Sequence, residues 1–252
     1  MGADARVPAG VTDELAPEGT LRAGINTRNE LLVSSVTGDG VPHGVAPDVA
    51  AEVARWLGAG VRWVLYESPA ALADAAGEQA WDIGLLGAEP ARAESIAFTQ
   101  AYAEIPATYL VRADSSLQAV ADADRPGVRI SVAARSAYDL WLSRNIRHAE
   151  LVRSPTPAAA YDVFIRDGLD ALAGLTARLA TDQGRTPGSR LLPGAFTSVR
   201  QAVGTPRSRT RAAAFLPELV ASLVWSGFVA RSIARHQVTG LYPAEGGPAG
   251  GE

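Results

Sequence analysis

The sequence predicts an α/β fold of two lobes, with the second lobe inserted in the first. Short apolar runs alternate with helical patterns, beginning with the runs at residues 21–25, 61–66 and 81–86. This alternation is typical of a parallel sheet covered by helices on both faces. A second series of the same kind begins at Val128, and a strand at residues 198–203 then leads into a helical final segment. The chain therefore returns to the first lobe after completing the second.

Five segments follow from this pattern. We expect a leader at 1–18, the first part of lobe 1 at 19–112, lobe 2 at 113–196, the return of lobe 1 at 197–242 and a disordered tail at 243–252. Glycine and proline mark both ends of the chain as poorly structured. The polar residues 113–116 mark the crossing between the lobes.

In the first lobe, capping residues and glycines predict where helices begin and end. Asp48 is the expected N-cap of a helix that Gly58 ends, and a second helix is expected at residues 69–76. The apolar run at residues 81–86 is closed by Gly87, which predicts a buried strand and a tight turn. Pro90 suits the first turn of a short helix, so Arg92 would lie where that helix begins.

The second lobe and the return segment show the same signals. Strands are expected at residues 128–132, 151–152 and 169–173, and helices are expected to begin at Ser136, Thr156 and Thr176. The return segment predicts two helices, which are expected at residues 208–225, interrupted by Pro217, and 228–235.

Composition excludes several classes of function. The net charge of −4 favours neither a nucleic-acid partner nor an anionic membrane. All 23 basic side chains are arginine, which excludes a Schiff-base lysine and a P-loop lysine. There are no cysteines, and the three histidines lie far apart in sequence. We therefore predict neither a metal nor a cofactor, and no catalytic residue can be assigned.

The ends of the chain and its apolar runs bear on localisation. Residues 1–17 carry acidic side chains and no apolar core segment, so no signal peptide is predicted. No apolar run is long enough to span a bilayer. The chain as written is expected in the cytoplasm, or outside it (extracellular or periplasmic) if an export signal was removed.

Polar side chains follow several predicted strands. Asn26 and Thr27 end the first strand, Arg92 follows the third, and Ser136 opens a helix of the second lobe. In open α/β sheets ligands bind beyond the carboxyl ends of the strands, at helix N-termini, where an arginine favours an anion such as a carboxylate. Each residue also has an ordinary interpretation: Arg92 on a solvated helix face, Ser136 as a cap and Asn26 in a turn. Their common placement favours a binding site.

Several segments resemble the family 3 extracellular solute-binding proteins. The matching residues are 19–24, 44–50, 81–84, 90–99, 124–132 and 168–172, with the sequences GTLRAG, GVAPDVA, WDIG, PARAESIAFT, DRPGVRISV and GLDAL. The resemblance covers residues 18–240. It implies the two-lobed type II periplasmic-binding-protein fold, with a ligand cleft between lobes that close by a hinge. It also implies a monomer that binds a small carboxylated ligand and serves an ABC permease.

The resemblance assigns roles to four residues. Arg92 falls on the arginine that binds the ligand α-carboxylate, and Ser136 on the hydroxyl residue that helps to hold the same group. Asn26 falls near a first-strand position that lines the cleft. Tyr102 lies in the segment after the arginine, where an aromatic side chain could face the ligand.

Two departures from the family pattern bear on the ligand. The small hydroxyl residues expected before the arginine are replaced by residues 85–88, and the acid expected to hold a ligand ammonium falls near Leu175. Loss of that carboxylate would cost about 2–5 kcal/mol of affinity, so an anion without an ammonium group fits better than an ordinary α-amino acid. Arg135, where the family often has glycine, and Arg178 could add positive charge to the cleft or lie on the surface.

The chain also resembles cyclohexadienyl and arogenate-type dehydratases, notably at residues 124–129. The alternative function is therefore a cytoplasmic lyase, dehydratase or cyclase that acts on a carboxylated biosynthetic intermediate. Those dehydratases use a glutamate of the second lobe as general acid, and residues 173–185 contain none, which disfavours that activity. A regulatory or sensor subunit is a third possibility.

Overall fold

A computed structural model of the protein describes residues 7–245, which divide into two compact units. Within these residues the first unit comprises 7–104 and 200–245, and the second comprises Ile105–Val199. The elements are, in chain order, α1 (Val11–Leu15), β1 (Thr20–Asn26), β2 (Ser35–Val36), β3 (Pro42–His43), α2 (Val45–Leu57), β4 (Gly60–Tyr66), α3 (Pro69–Asp74), β5 (Ile83–Gly87), β6 (Ile96–Arg112), a 3₁₀ turn (Val120–Ala123), β7 (Arg129–Ala133), α4 (Ala137–Asn145), β8 (Glu150–Ser154), α5 (Pro157–Arg166), β9 (Ala171–Leu175), α6 (Thr176–Gly184), β10 (Ser189–Leu191), β11 (Thr197–Pro206), α7 (Thr210–Trp225), α8 (Phe228–Arg235) and β12 (Tyr242–Pro243).

The first unit is built on strands in the order β4-β1-β5-β11-β6, with β12 paired to β6. Strand β1 runs parallel to both β4 and β5, whereas β11 runs antiparallel to β5. Helices α2 and α3 connect the three parallel strands. Because these strands are parallel, their carboxyl ends lie at one edge of the sheet.

Three glycines lie side by side on β1, β5 and β11, and those on β1 and β5 make room for Trp81. Gly24 is paired with Gly84, and Gly84 with Gly204. A methyl group on Gly24 would lie 3.0 Å from the indole of Trp81, and one on Gly84 would lie 3.1 Å from it. The indole is fully buried, and its Nε1 donates to the Leu72 carbonyl at 3.0 Å. The indole therefore packs directly on the backbone of the sheet at glycine positions, which carry no side chain.

A fully buried carboxylate, that of Asp82, joins three segments of the first unit. The backbone N–H of Arg22 donates to Oδ2 at 2.7 Å, and its guanidinium donates to Oδ1 at 2.7 Å. The guanidinium of Arg209 lies 2.6 Å from the same Oδ1. Thr205 Oγ1 donates to the Asp82 carbonyl at 2.9 Å, so the link between β11 and α7 is fixed to β1 and β5.

The second unit is built on strands in the order β6-β9-β7-β8, with β10 paired to β6. Strand β7 runs parallel to β8 and β9, and β9 runs antiparallel to β6. The predicted caps are present: Ser136 Oγ accepts from Asp139 N, and Thr156 Oγ1 accepts from Ala159 N. Ser131 Oγ donates to the Ala160 carbonyl at 2.6 Å, which fixes α5 to β7.

Some limits of the predicted elements differ from those observed. Helix α2 begins at Val45 rather than after Asp48, because Gly44, with φ of 139°, serves as N-cap and Asp48 lies in the first turn. The Asp48 carboxylate instead accepts hydrogen bonds from groups at the end of α8, namely Ser232, Arg235 and His236.

The predicted leader and tail are partly ordered. Helix α1 lies within the predicted leader and buries Val11 and Leu15. Pro243 belongs to β12, and the N–H of Ala244 donates to the Tyr102 carbonyl at 3.0 Å. Residues 243 and 244 thus make backbone contacts, the leader and tail stay predictions, and their parts at 1–6 and 246–252 lie outside the described residues. The compact units change at residues 104/105 and 199/200. The lobe boundaries predicted at 112/113 and 196/197 stay predictions.

Among the helices between residues 7 and 245, no single helix is long and apolar enough to cross a membrane. Helices α7 and α8, which meet at a bend of 61°, reach the required length and composition only when they are taken together.

Candidate functional site

The carboxyl ends of β1, β4 and β5 form the polar edge of the first unit. Asn26 lies opposite Tyr66 in the register of β1 and β4. Thr27 donates to the Tyr66 carbonyl from its backbone N–H at 2.9 Å and from Oγ1 at 3.1 Å. Asn26 Oδ1 accepts from Arg28 N at 3.1 Å, which is the turn role considered for it from the sequence. Asn26 as a ligand contact stays a prediction.

The chain that follows β5 forms consecutive turns, so the short helix predicted to begin near Pro90 is wrong. The N–H of Arg92 donates to the Glu89 carbonyl at 2.9 Å, and that of Ala93 donates to the same carbonyl at 3.1 Å. The N–H of Ile96 then donates to the Arg92 carbonyl, and β6 begins at Ile96 itself. Residues 90–95 are turns rather than a helix, and we call residues 88–95 the β5 turn.

Arg92 is a buried cation of the β5 turn, with 6% of its surface exposed. This burial excludes the solvated helix face considered from the sequence. Its guanidinium donates to the Gly87 carbonyl at 2.7 Å, which orients the planar group relative to the end of β5. Guanidinium groups carry five donors in a fork that matches a carboxylate, and they are the usual choice for buried ion pairs. The guanidinium is therefore buried and oriented, and its role as the anchor of a ligand carboxylate stays a prediction.

Tyr102 lies on β6 with no exposed surface. Within the described part of the chain its hydroxyl has no hydrogen-bond partner, and burial raises the pKa of the phenol well above its usual range. The side chain is therefore held as a neutral core residue. The proposed ligand contact through Tyr102 stays a prediction.

In the second unit Ser136 is the N-cap of α4, as predicted. Its Oγ accepts from Asp139 N at 3.1 Å and donates to the Ala133 carbonyl at 2.8 Å. The hydroxyl proton is thus used within the cap. Burial raises the pKa of Tyr138, in the first turn of the same helix, to about 12. The hydrogen bond with Ser136 lowers this pKa by a smaller amount. Both groups are neutral polar side chains near neutral pH.

Arg135 precedes this cap in a left-handed conformation, with φ of 58°. Glycine adopts this region without strain, whereas another residue there costs about 1–3 kcal/mol. The backbone N–H of Arg135 donates to Asp139 Oδ2 at 2.7 Å, which helps to hold the conformation. The side chain is exposed and has further interactions.

Arg178 and Leu175 are the remaining predicted site residues of the second unit. Arg178 Nε donates to Asp182 Oδ2 at 3.2 Å, and Arg185 donates to the other oxygen of the same buried carboxylate. The charge of Arg178 is therefore offset within α6. Leu175 is half-buried at the end of β9 and offers only an apolar side chain, so α6 begins without a side-chain cap.

Sequence reasoning missed Glu89 as a candidate site residue. Its carboxylate belongs to the β5 turn, and only 8% of the residue surface is exposed. Glutamate is almost never buried unless it is paired, and Glu89 and Arg92 both have interactions. The available signal was an acid between the strand-ending Gly87 and Pro90, three residues before the predicted arginine.

Comparison with known proteins identifies the family. Residues 21–234 match the sequence profile of the bacterial extracellular solute-binding proteins, family 3. The chain belongs to this family. The match confirms the family that the sequence motifs indicated, and comparison with curated protein sequences gave no match.

Solved structures confirm the predicted α/β fold of this solute-binding family. A mutant of the arginine-binding protein of T. maritima superposes with a TM-score of 0.71 and 20% identity over 91% of this chain and 100% of that one. A binding component of an ABC transporter from Wolinella succinogenes, complexed with lysine, gives 0.70 and 16% over 86% and 95%. An ancestral amino-acid-binding protein, a precursor of cyclohexadienyl dehydratase, gives 0.71 and 17% over 90% and 98%.

Proposed function

We propose that this protein binds a small carboxylate-bearing solute, with Arg92 as the anchor of the carboxylate. The observation that carries the proposal is the buried guanidinium of the β5 turn, held by the Gly87 carbonyl at the carboxyl end of a parallel strand. In open α/β sheets this edge is the usual place for a ligand. Membership of a solute-binding family supports the same role.

The structural neighbours support an amino-acid-like solute. Their solved forms include an arginine-bound protein and one complexed with lysine. Such solutes carry the carboxylate that a buried arginine recognises through two parallel hydrogen bonds. We propose an ABC permease as the partner that receives the solute, by analogy with the transporter component from Wolinella succinogenes.

Thermal stabilisation and calorimetry with a panel of small carboxylates test the proposal. Wild-type protein is expected to bind at least one of them, and Arg92→Ala is expected to weaken that binding by about 30-fold or more, because a desolvated charged partner is lost. Arg92→Lys keeps the charge but not the planar fork. The loss of affinity in this variant is therefore expected to be smaller than that in Arg92→Ala.

The matched control is Arg62→Ala, which removes an exposed arginine on β4 of the same unit. It is expected to bind as wild type does. Circular dichroism of Arg92→Ala without solute checks that the variant folds. The proposal fails if no carboxylate binds to the wild type, or if Arg92→Ala and Arg62→Ala bind equally well.

We propose binding rather than turnover, because residues 173–185 contain no glutamate that could act as the general acid of the dehydratases that the chain resembles. Asp182, an acid of α6, accepts hydrogen bonds from two arginines and is 2% exposed, so it is built into the helix. The solute is therefore expected to be recovered unchanged after prolonged incubation, which mass spectrometry checks. Conversion over many turnovers would favour the lyase or dehydratase alternative instead.

A further inference from the structure

A cavity of about 170 Å³ lies at the edge of the second unit where β7 and β9 begin. One wall is the segment that follows β6, residues 112 and 114–117, and the other is formed by Val128, Leu169 and Asp170. We call this space the β6 cavity. Because β7 and β9 are parallel, Ser136 and Leu175, which follow and end these strands, lie at the opposite edge of the sheet. The cavity is therefore distinct from the predicted site residues of this unit.

Arg190 holds the first wall of the β6 cavity in one conformation. Its guanidinium donates to the carbonyls of Ser115 at 3.1 Å and Leu117 at 2.6 Å, and its Nε donates to the carbonyl of Ala113 at 3.4 Å. Ser115 Oγ accepts from Leu117 N at 3.2 Å. The side chains of Leu117 and Leu169 are buried and give the cavity an apolar floor. A wall that is already ordered loses little conformational freedom when a ligand binds.

The exposed rim of the β6 cavity carries one cation and two anions, Arg112, Asp114 and Asp170. Within residues 7–245 neither the guanidinium of Arg112 nor the carboxylate of Asp114 makes a hydrogen bond or an ion pair. The Arg112 guanidinium extends toward Gly168, where an added methyl group would lie 3.1 Å from one of its nitrogens. Asp170 Oδ2 accepts from Arg129 N at 2.8 Å, which fixes the carboxylate and leaves Oδ1 for another donor. The rim thus offers a guanidinium fork and two carboxylates to a ligand.

This mixture of charges selects the class of ligand. A bare carboxylate would bind Arg112 but would meet two acidic side chains on the same rim, and a bare amine would meet the guanidinium. Among residues 7–245 no group of three or more histidine, cysteine or acidic side chains could hold a metal ion. A ligand that carries both a carboxylate and an ammonium group complements both signs. The volume is below the roughly 300–1,000 Å³ of pockets for drug-sized ligands, so the ligand must be small.

We infer that the β6 cavity is a second binding site, which takes a small zwitterion of the amino-acid type. Arg112 binds its carboxylate, and Asp114 and Asp170 bind its ammonium group. All of these residues belong to the second unit. The inference goes beyond the proposed function, because it does not involve Arg92.

Nuclear magnetic resonance of ¹⁵N-labelled protein tests the inference, because the backbone amides report where a weak ligand binds. The probes are glycine, β-alanine and γ-aminobutyrate, which differ in the spacing of their charges. Each is compared with the carboxylate that lacks its amino group and with the amine that lacks its carboxylate. At least one zwitterion is expected to shift the amides of residues 112–117, 169 and 170, and to bind about 5-fold or more tightly than either partner.

Two variants separate the charges of the rim. Arg112→Gln is expected to weaken binding of the zwitterion by about 5-fold or more while binding of the amine stays equal or improves. Asp114→Asn is expected to weaken binding of the zwitterion while binding of the carboxylate stays equal or improves. The matched controls are Arg147→Gln and Asp162→Asn, which make the same changes at exposed positions of the same unit outside the cavity. Both controls are expected to bind as wild type does, and thermal unfolding checks that all four variants fold.

The outcomes also separate the inference from the proposed function. Shifts at the cavity amides that persist in Arg92→Ala would support the second site, whatever the role of Arg92. Shifts confined to the first unit would overturn the inference and leave the proposed function standing. The inference is also overturned if none of the probes shifts the cavity amides, or if Arg112→Gln and Arg147→Gln bind the zwitterion equally well.

Discussion

The first unit buries the carboxylate of Asp82 between two arginines, whereas the second unit buries that of Asp182 against two arginines that are more exposed. Arg209 is only 11% exposed beside Asp82, and Arg185 is 57% exposed beside Asp182. Solvent screens an exposed partner and weakens the pair, but a desolvated pair depends on every member. Removal of a single charge is therefore expected to destabilise the first unit more than the second.

The same difference holds at the strand ends where a solute is proposed to bind. The β5 turn of the first unit contains a buried cation and a buried anion, Arg92 and Glu89. The corresponding strand ends of the second unit present a helix cap at Ser136, an exposed Arg135 and the apolar Leu175. The comparison teaches that the arginine at the strand ends is buried in the first unit, whereas the arginine at the strand ends of the second unit is exposed.

The largest expected effect comes from Asp82→Asn. The change leaves Arg22 and Arg209 without their shared counter-charge, and breaking a buried pair in this way costs roughly 3–5 kcal/mol. Asp182→Asn is the matched change in the second unit, where solvated partners limit the loss to about 1 kcal/mol. Urea unfolding of both variants measures the difference, and equal losses would contradict the comparison of the two units.

A smaller effect is expected from Gly204→Ala. The added methyl group would overlap Ile96 Cγ2 and lie 3.1 Å from the Phe98 ring, and overpacking of this kind costs about 1–3 kcal/mol. Gly174→Ala is its counterpart in the second unit, where the methyl would meet only Leu179, at 3.0 Å from Cδ2. Thermal unfolding should show the larger drop in midpoint for Gly204→Ala. The row of three glycines would not be a packing requirement if Gly204→Ala were as stable as wild type.

Much of the fold could be predicted because its signals are local. Ser136 and Thr156 begin helices through hydrogen bonds to residues three positions later, and such caps can be recognised in the sequence itself. The parallel strands follow from apolar runs that alternate with these helices. The helix expected near Pro90 was wrong, because residues 90–95 form consecutive turns and β6 begins directly after them at Ile96.

Other features depend on contacts that no local pattern reveals. The glycine row forms only when the register of three strands brings Gly24, Gly84 and Gly204 together. Asp48 is a residue type that often caps helices, but its carboxylate accepts hydrogen bonds from side chains 184 and 188 residues later in the chain. The burial of Glu89 could not be predicted either, since an acid beside proline in a turn is normally exposed.

The smallest expected effect separates the two roles considered for Ser136. Ser136→Ala removes an N-cap and should cost about 1 kcal/mol of stability, and Thr156→Ala, which removes the cap of α5, should cost a similar amount. If the second unit contributes a neutral contact to the carboxylate, only Ser136→Ala weakens solute binding, by about 5- to 10-fold for a lost hydrogen bond. Unfolding and calorimetry on the same preparations measure both quantities. Equal binding by the two variants would restrict Ser136 to its cap, and would leave the proposed carboxylate contact to Arg92 in the first unit.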